Sequence, residues 1–558
     1  MRVCVIGAGV SGLPSIKACL EQNLEVDCFE KTSSIGGLWN YRPNEDNVGA
    51  NVMASTVNTS KELMAYSDFP PPPEWPNFMH HSYVQKYLEM YAKHFDLIKY
   101  IHFNTEVIEV RRVDGDDQDR FKKWSVSLSN GITKIYSAVL ICTGHHCEPR
   151  IPGQINGLTT FKGRILHSKH YHDYKGFENK RVMLVGIGNS SLDIAVELAG
   201  IAKNVCSFIM RAYLLNSNRD ECANSSDHNL YGLRPPHRFF QQHPAVNDAL
   251  TNLLASGRDD INYIDEYNVH TKDGRCYQMD VIILCTGYSF GFPFIKPSGL
   301  IPVTEDNQVD LYKLILPPSP SARGLAVIGL VQPIGSVSPI AEMQARWVTS
   351  ILAKGLNSLP NETKMREEIA CRRERMRRQY FESAKHTIQV QYLPYMDELA
   401  EQIGCSPPNI KKVQYLPYMD ELAEQIGCSP PNIKKILWKE PSFALRLLFG
   451  PNVPYIYRLQ GPNTWADARK VIEGVPYRVK TPLKQRFQII KNKNTKKGLA
   501  DNLFDYSMTK CLALYFFIIF GVGAWLFGNQ TFSFLLHSAA IIIVAFMGYI
   551  FYFDISWL

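Results

Sequence analysis

Glycines at positions 7, 9 and 12 follow directly on an essentially apolar run, Arg2 to Ile6, and no other stretch of the chain restricts the fold so tightly. The run is too short for a helix and reads as a buried strand. Pro14 to Glu21 then reads as a helix. In such a strand–turn–helix unit the glycines have separate jobs. Gly7 makes the tight turn, Gly9 lets backbone approach a pyrophosphate, and Gly12 packs helix against strand. The helix N-terminus points unpaired N–H groups at that pyrophosphate. A second strand, Glu25 to Phe29, ends at Glu30, placed to accept hydrogen bonds from a ribose 2′- and 3′-hydroxyl pair. A glycine triplet alone is weak. With strand, helix and acid in register, it predicts a dinucleotide site.

With 558 residues there is room for about three or four domains, and 45% hydrophobic with 20% charged residues is a globular composition. A net charge of +7, spread along the chain, gives no reason to expect a nucleic-acid partner. Thirteen scattered cysteines without a CxxC pair suit a reducing compartment. A strand starting at residue 2 leaves no room for a signal peptide, so this domain is expected to fold on the cytosolic side. The end of the chain differs. Cys511 to Phe553 holds no Asp, Glu, Lys or Arg in 43 residues, divided by Gly528-Asn529-Gln530-Thr531. The first of its two runs, 17 residues, would span roughly 25 Å as a helix. Upstream, Arg478 to Lys497 contains eight Lys or Arg and no acid, as expected of a cytosolic membrane flank. The chain is expected to be membrane-anchored. A single span near the end is favoured, with the first run lying in or re-entering the membrane.

Further along, Ile35-Gly36-Gly37-Leu38-Trp39 is a loop able to pass close to a ligand, and residues 70–76 (PPPPEWP) form a rigid connector. His81 to His94 has helical periodicity. Three alternating strands (105–112, 123–128, 132–136) precede an apolar strand, Ala138 to Cys142, that ends at Thr143-Gly144. A three-stranded excursion followed by return to the parent sheet is how two-dinucleotide flavoproteins of the glutathione reductase type are built. A second unit begins at Arg181. The strand RVMLVG leads into Gly186, Gly188, Asn189, Ser190 and Ser191, then a helix from Leu192 to Gly200 and a strand from Asn204 to Met210. That strand ends at Arg211, and a cation there accommodates a 2′-phosphate, favouring NADPH over NADH. Asp280 to Leu284 and Ala326 to Gly329 are further buried strands, the former closing on Cys285-Thr286-Gly287-Tyr288, and Glu342 to Ala353 reads as a helix. Residues 362–385 form an arginine-rich amphipathic helix, read as a solvated face. Val390 to Lys412 recurs without a change as Val413 to Lys435. Solenoid repeats diverge and need about three copies. One identical copy marks a recent duplication or a gene-model error, and no function is assigned to it. The fold class is therefore α/β, two Rossmann-type domains with a C-terminal membrane anchor. One dinucleotide domain is discontinuous (1–148 and 290–445), the other spans 149–289, a basic membrane-proximal region covers 446–509 and the anchor 510–558.

Between the two units lies Phe161-Lys-Gly163-Arg-Ile-Leu-His167-Ser-Lys-His-Tyr171. This is the FxGxxxHxxxY fingerprint of the flavin-containing monooxygenases of animal microsomes, which the chain resembles from end to end. Gly36 to Trp39, Asn58-Thr59-Ser60-Lys61, Thr286-Gly287-Tyr288 and Gln332-Pro333 with Arg346-Trp347 also match. Related Baeyer–Villiger enzymes usually end the fingerprint in Trp, so Tyr171 favours the flavin-containing branch. The resemblance implies FAD on Gly7, Ala8, Gly9, Val10, Ser11, Gly12, Glu30, Leu38, Trp39, Val57, Asn58 and Thr59. It implies NADPH on Gly186, Gly188, Ser190, Ser191, Leu192, Asp193 and Arg211. It also implies an anchor in the endoplasmic reticulum with the catalytic part facing the cytosol.

In that family NADPH reduces FAD, oxygen adds to give a C4a-hydroperoxyflavin, and an amine nitrogen or a sulfide attacks its distal oxygen. The cofactor carries the hard chemistry while protein positions it and excludes water. Asn58 matches the asparagine beside flavin and nicotinamide, where an amide donates a hydrogen bond without being a proton source. Read without the resemblance, the alternative for Asn58 is an Asx turn before a helix. His167 is read as structural, bonded to backbone, and His145-His146 lacks partners at metal spacing, so no metal is expected. Two departures stand out. Met210 precedes Arg211 where the family usually has two basic residues, and the stretch from Ala212 to Leu230 is much shorter than the family's channel-closing insertion. Three readings follow: an N- and S-oxygenase of xenobiotics; an NADPH oxidase leaking peroxide, or a Baeyer–Villiger oxygenase of ketones; or a catalytically impaired membrane flavoprotein. Substrate identity is left open, as is the oligomeric state, a homo-oligomer included.

Overall fold

A computed structural model describes residues 1–42, 56–113, 123–208, 261–403 and 440–493, with interruptions at 147, 152–154, 187, 273, 334, 356–358, 380–386, 450–452 and 460–463. The chain opens on β1 (Arg2–Ile6), α1 (Gly12–Glu21) and β2 (Glu25–Phe29), followed by α2 (Lys61–Met64), α3 (His81–His94) and β3 (Ile101–His102). An excursion through β4 (Val107–Arg112), β5 (Trp124–Leu128) and β6 (Thr133–Tyr136) leads to β7 (Ala138–Ile141). Then come β8 (Glu148–Pro149), β9 (Arg164–His167), β10 (Arg181–Val185), α4 (Asn189–Leu198) and β11 (Asn204–Phe208). A small antiparallel sheet of β12 (Ile261–Ile264), β13 (Asn268–Thr271) and β14 (Cys276–Gln278) precedes β15 (Val281–Leu284), β16 (Tyr288–Ser289), β17 (Ile295–Lys296) and β18 (Leu325–Val327).

β18, β7, β1, β2 and β3 form, in that order, a parallel five-stranded sheet. β11, β10, β15 and β9 form a second, parallel four-stranded one. Both are parallel, as the expected α/β fold class requires. Their central strands are apolar on both faces, because a parallel sheet is covered on both sides. Val3, Cys4 and Val5 of β1 and Val182 to Val185 of β10 are fully buried. α1 starts at Gly12 rather than at Pro14. Proline fits there because a first-turn residue has no intrahelical acceptor for its N–H, so the missing donor costs nothing. α4 likewise starts at Asn189, three residues before the sequence boundary at Leu192, since Gly188 already supplies an extended N-cap. The helix Val337–Lys354 starts five residues ahead of the expected Glu342, capped by the Ser336 side chain accepting from Ser338 N–H. The excursion packs on β7 through Trp124, whose indole N–H donates to the Arg323 carbonyl at 3.1 Å.

The two sheets are joined by two crossings, at β8 and β16, which pair antiparallel with Tyr288 opposite Pro149. By contacts the chain divides into two units. The first comprises Met1–Pro71, Pro76–Asn432 and Val453–Arg469. The second comprises Pro72–Trp75, Ile433–Asn452 and Lys470–Leu558. In the second, Arg446 of the helix Pro441–Phe449 donates to the Glu473 carbonyl at 2.8 Å. Among the described residues no helix is long and apolar enough to cross a membrane. The charge-free run 511–553, on which the membrane expectation rests, lies outside them, as do Arg211, the short stretch 212–230 and the second copy of the duplicated block.

Candidate active site

The first cradle is built where β1 turns into α1. Gly7 has φ +98°, and a Cβ there would lie 2.8 Å from the Cys142 carbonyl oxygen, so only glycine makes this turn. A Cβ on Gly12 would come within 1.8 Å of the Gly7 oxygen, which is the helix-to-loop packing contact. Gly9 is different. Among the described residues its Cβ would meet only Gly37, at an ordinary 3.6 Å to Cα, so the backbone there is open to close approach by a ligand. The structure thus brings the 36–39 segment over the glycine loop, with the Gly36 N–H donating to the Ala8 carbonyl at 3.1 Å. Leu38 is exposed and Trp39 half-buried beside it, while Val10 and Ser11 close the loop.

Glu30 is buried at the end of β2. Its Oε2 accepts from Ala8 N–H at 2.8 Å, and Oε1 accepts from the Thr32 N–H at 3.0 Å and hydroxyl at 2.7 Å. The carboxylate therefore fastens the glycine loop to the strand end, and only Oε2 has a lone pair to spare for a ribose.

Asn58 sits on a turn pinned from both sides. Val57 N–H donates to the Met79 carbonyl at 2.9 Å and Lys61 N–H to that of Asn77 at 2.7 Å. The Asn58 carboxamide is exposed, and its Oδ1 accepts only a long 3.4 Å bond from the Thr59 hydroxyl among the described residues. Among the described residues no Asx-turn bond forms, which leaves the amide open to a ligand.

The second cradle repeats the first. Gly186 has φ +119°, and a Cβ would stand 2.4 Å from the Cys285 oxygen. Gly188 has open space around it, and Ser190 is half-buried. Ser191, at the third glycine position, is fully buried, and its Oγ has no hydrogen-bond partner among the described residues. Leu192 is buried in the core, so it can meet a nucleotide only through backbone. Burial pushes the Asp193 carboxyl up to about 6. Neither α1 nor α4 has a side-chain cap at its N-terminus. Two uncapped helix ends, the bare Gly9 and the orphaned Ser191 hydroxyl are what two anionic dinucleotides require, so the residues present fit both.

The fingerprint proves architectural. A Cβ on Gly163 would strike the Asp280 oxygen and the Phe161 ring, both at 2.5 Å. His167 is buried. Its Nδ1 accepts from Lys169 N–H at 3.1 Å and its Nε2 faces the Gly287 carbonyl at 3.0 Å, which fixes the neutral Nε2–H tautomer. Burial lowers its pKa to about 4, although the Gly287 bond works the other way. Tyr171 donates its hydroxyl to Glu197 at 3.0 Å. His167 thus ties β9 to the β16 crossing, the structural role the sequence suggested. Among the described residues no three His, Cys, Asp or Glu are grouped to hold a metal.

One residue the sequence did not single out is Tyr66, buried, whose hydroxyl donates to the Val10 carbonyl at 2.8 Å. A buried tyrosine in a Pro-rich neighbourhood reads as core, and only the fold shows what its hydroxyl reaches.

The family model for flavin-binding monooxygenase-like proteins matches residues 1–222, 213–412 and 406–520. Its seams fall in the short stretch after Arg211 and inside the duplicated block. The chain is 38% identical over 528 residues to flavin-containing monooxygenase 5 of Homo sapiens, covering 87% of this chain and 93% of that one. It is also 38% identical, over 531 residues and with the same coverage, to dimethylaniline monooxygenase (N-oxide-forming) 2 of Pan troglodytes. Among solved structures, S-allyl-L-cysteine S-oxygenase from Allium sativum shares the fold with a TM-score of 0.58 at 22% identity, over 87% of this chain and 98% of that one. With both cradles in place and a match that runs nearly from end to end, the chain belongs to the flavin-binding monooxygenase family, enzymes whose cofactors are FAD and NADPH.

Proposed function

We propose that the protein transfers one atom of O2 to the nitrogen of amines or the sulfur of sulfides. The second atom leaves as water, with one NADPH and one proton consumed for each amine oxide or sulfoxide formed. Residues 1–148 and 290–445 would hold FAD and 149–289 NADPH. When bound, FAD accepts a hydride from NADPH and supplies the activated oxygen. The chain's own residues bind and shield. The uncapped N-termini of α1 and α4 would face the two pyrophosphates, and backbone at Gly9 and Gly37 would permit close approach. Arg211 would pair with the 2′-phosphate. The observation that carries the reading is the Asn58 turn. Its backbone is fixed on both flanks while its carboxamide is exposed and unspent, so it can hold a hydrogen bond without offering an acidic proton.

The names of relatives that oxidise dimethylaniline nitrogen and S-allyl-cysteine sulfur support this substrate class. The tail 511–553 would anchor the enzyme in the endoplasmic reticulum membrane, catalytic part in the cytosol. The test is turnover of dimethylaniline and of methyl p-tolyl sulfide under 18O2 with NADPH. One labelled oxygen per product is expected. Conversion of cyclohexanone to a lactone with neither amine nor sulfide oxidised would overturn the substrate class.

A further inference from the structure

Arg458 is a guanidinium with 2% of its surface exposed, far in sequence from every motif above. It lies on the turn Pro454–Arg458, within the 453–469 interval that belongs to the first unit. Its Nη2 is 2.8 Å from Glu342 Oε1 and 3.1 Å from Asp68 Oδ2, its Nη1 is 3.7 Å from Glu21 Oε1, and its Nε donates to Ser67 Oγ at 2.6 Å. Glu342, equally buried, accepts from the Ser67 N–H at 2.7 Å and the Ser67 hydroxyl at 2.6 Å. Lys17 of α1 joins from the other side, 2.8 Å from Asp68 and paired with Glu21. On the same turn as Arg458, Tyr455 donates to Glu62 Oε2 at 3.0 Å. Four stretches meet here: α1, the 62–68 segment, the helix Val337–Lys354 and the 453–458 turn.

Such a network is a poor way to gain stability. Well-packed apolar residues in place of a buried ion cluster are often neutral or better, because desolvating the charges costs so much. What a guanidinium fork supplies is direction, since its donors are fixed in a plane. What it directs here is the segment running from Asn58 to Asp68. Tyr66, next to Ser67, donates its hydroxyl to the Val10 carbonyl of the glycine loop, and its own N–H donates to the Tyr87 hydroxyl oxygen at 2.8 Å. The segment therefore has the Asn58 turn at one end and the Arg458 cluster at the other, with the glycine loop hung from Tyr66 beside that cluster.

We infer that Arg458 is a positioning residue. Acting through Ser67 and Glu342, it fixes both the Val10 side of the flavin cradle and the Asn58 turn, making a C-terminal turn part of the active-site scaffold. The Asn58 half of this rests on the function proposed above; the Val10 half does not. The full-length protein in detergent provides the test. Arg458→Met with Glu342→Gln removes both charges together, so no lone charge is left buried. The dissociation constant of FAD from apoprotein, read by flavin fluorescence, is expected to rise about tenfold, the equivalent of one positioned hydrogen bond. Peroxide released per NADPH is expected to rise severalfold, with no further rise when Asn58→Leu is added. Arg458→Lys, which keeps charge but loses the fork, should lie between. Should the double variant fail to fold, Tyr455→Phe removes a single hydroxyl from the same turn and should weaken FAD in the same direction. An unchanged FAD constant in whichever variant folds overturns the inference. Weakened FAD combined with an Asn58→Leu protein that leaks no more than wild type would sink the Asn58 reading and leave the hold on Val10 standing.

Discussion

Gly9→Ala separates a requirement of the ligand from a requirement of the fold. A Cβ at Gly9 would meet protein only at 3.6 Å from Gly37 Cα, and Gly9 has no positive φ, so the apoprotein has no reason to change. If a pyrophosphate passes against this backbone, the added methyl must displace it. Overpacking by one methyl group costs about 1–3 kcal/mol, which is roughly a 5- to 150-fold rise in the FAD dissociation constant. Gly9→Val should go further and give colourless protein. Gly12→Ala is the control in the other direction. Its Cβ would stand 1.8 Å from the Gly7 oxygen, so it should lower the melting temperature of apoprotein and holoprotein alike. The assay is fluorescence titration of apoprotein with FAD, beside thermal melts of each variant without flavin. A Gly9→Ala protein that melts like wild type and binds FAD with wild-type affinity would show that the cofactor does not lie on this loop.

Asn58→Leu should increase peroxide per NADPH consumed without slowing flavin bleaching by NADPH, since hydride transfer does not use that carboxamide; an unchanged peroxide yield counts against its role. Arg211→Ala should raise the NADPH KM about tenfold or more while barely moving that of NADH, as expected for loss of a charge-assisted contact, and equal effects on both nucleotides would refute the 2′-phosphate assignment. Asp193, held up to about 6 by burial, becomes charged in the second turn of α4 only above that pH. The NADPH KM should therefore rise as pH increases through about 6 and flatten in Asp193→Asn. Its contribution to stability has the same sign: fully present below the unfolded carboxyl's pKa near 4, it is lost as pH rises to about 6. Deleting 413–435 should leave FAD content and melting temperature unchanged, because the first copy of that block already fills its seat.

Features carried by short-range sequence were readable in advance. The tight turn at Gly7, the β1–α1–β2 unit and the buried strands β10 and β15 all follow from residue type and local spacing. Glu30 was only half readable. Its position at a strand end is local, but its bonds to Ala8 and Thr32 depend on how the loop folds back. Asn58 shows the opposite case, since the sequence admitted an Asx turn that the pinned backbone on either side does not form. Arg458 could not have been found. Nothing near it in sequence distinguishes a buried arginine from a solvated one, and its partners lie 116 to 437 positions away. Helix starts were missed at α4 and at Val337 because extended caps, not apolar periodicity, set them.

The identical block poses a sharper physical question than its origin does: two equal segments compete for one place. In the first copy, the helix Tyr392–Ile403 buries Tyr395, Met396, Leu399 and Ala400. Tyr395 accepts from Gln344 at 2.7 Å and donates to the Lys313 carbonyl at 2.5 Å, while Glu398 pairs with the buried Lys313. Tyr418 and Glu421 repeat the same chemistry at the same spacing, so side chains within the block cannot decide between the copies. The residues just before them can. Ile388 and Gln389 precede the first copy, both are buried, and the Gln332 N–H donates to the Ile388 carbonyl at 2.8 Å. The second copy is preceded instead by Lys411 and Lys412. Seating it would replace an apolar residue with a lysine where no solvent reaches, and desolvating an unpaired ammonium costs several kcal/mol. The selection therefore falls to two residues ahead of the repeat, and the first copy takes the seat.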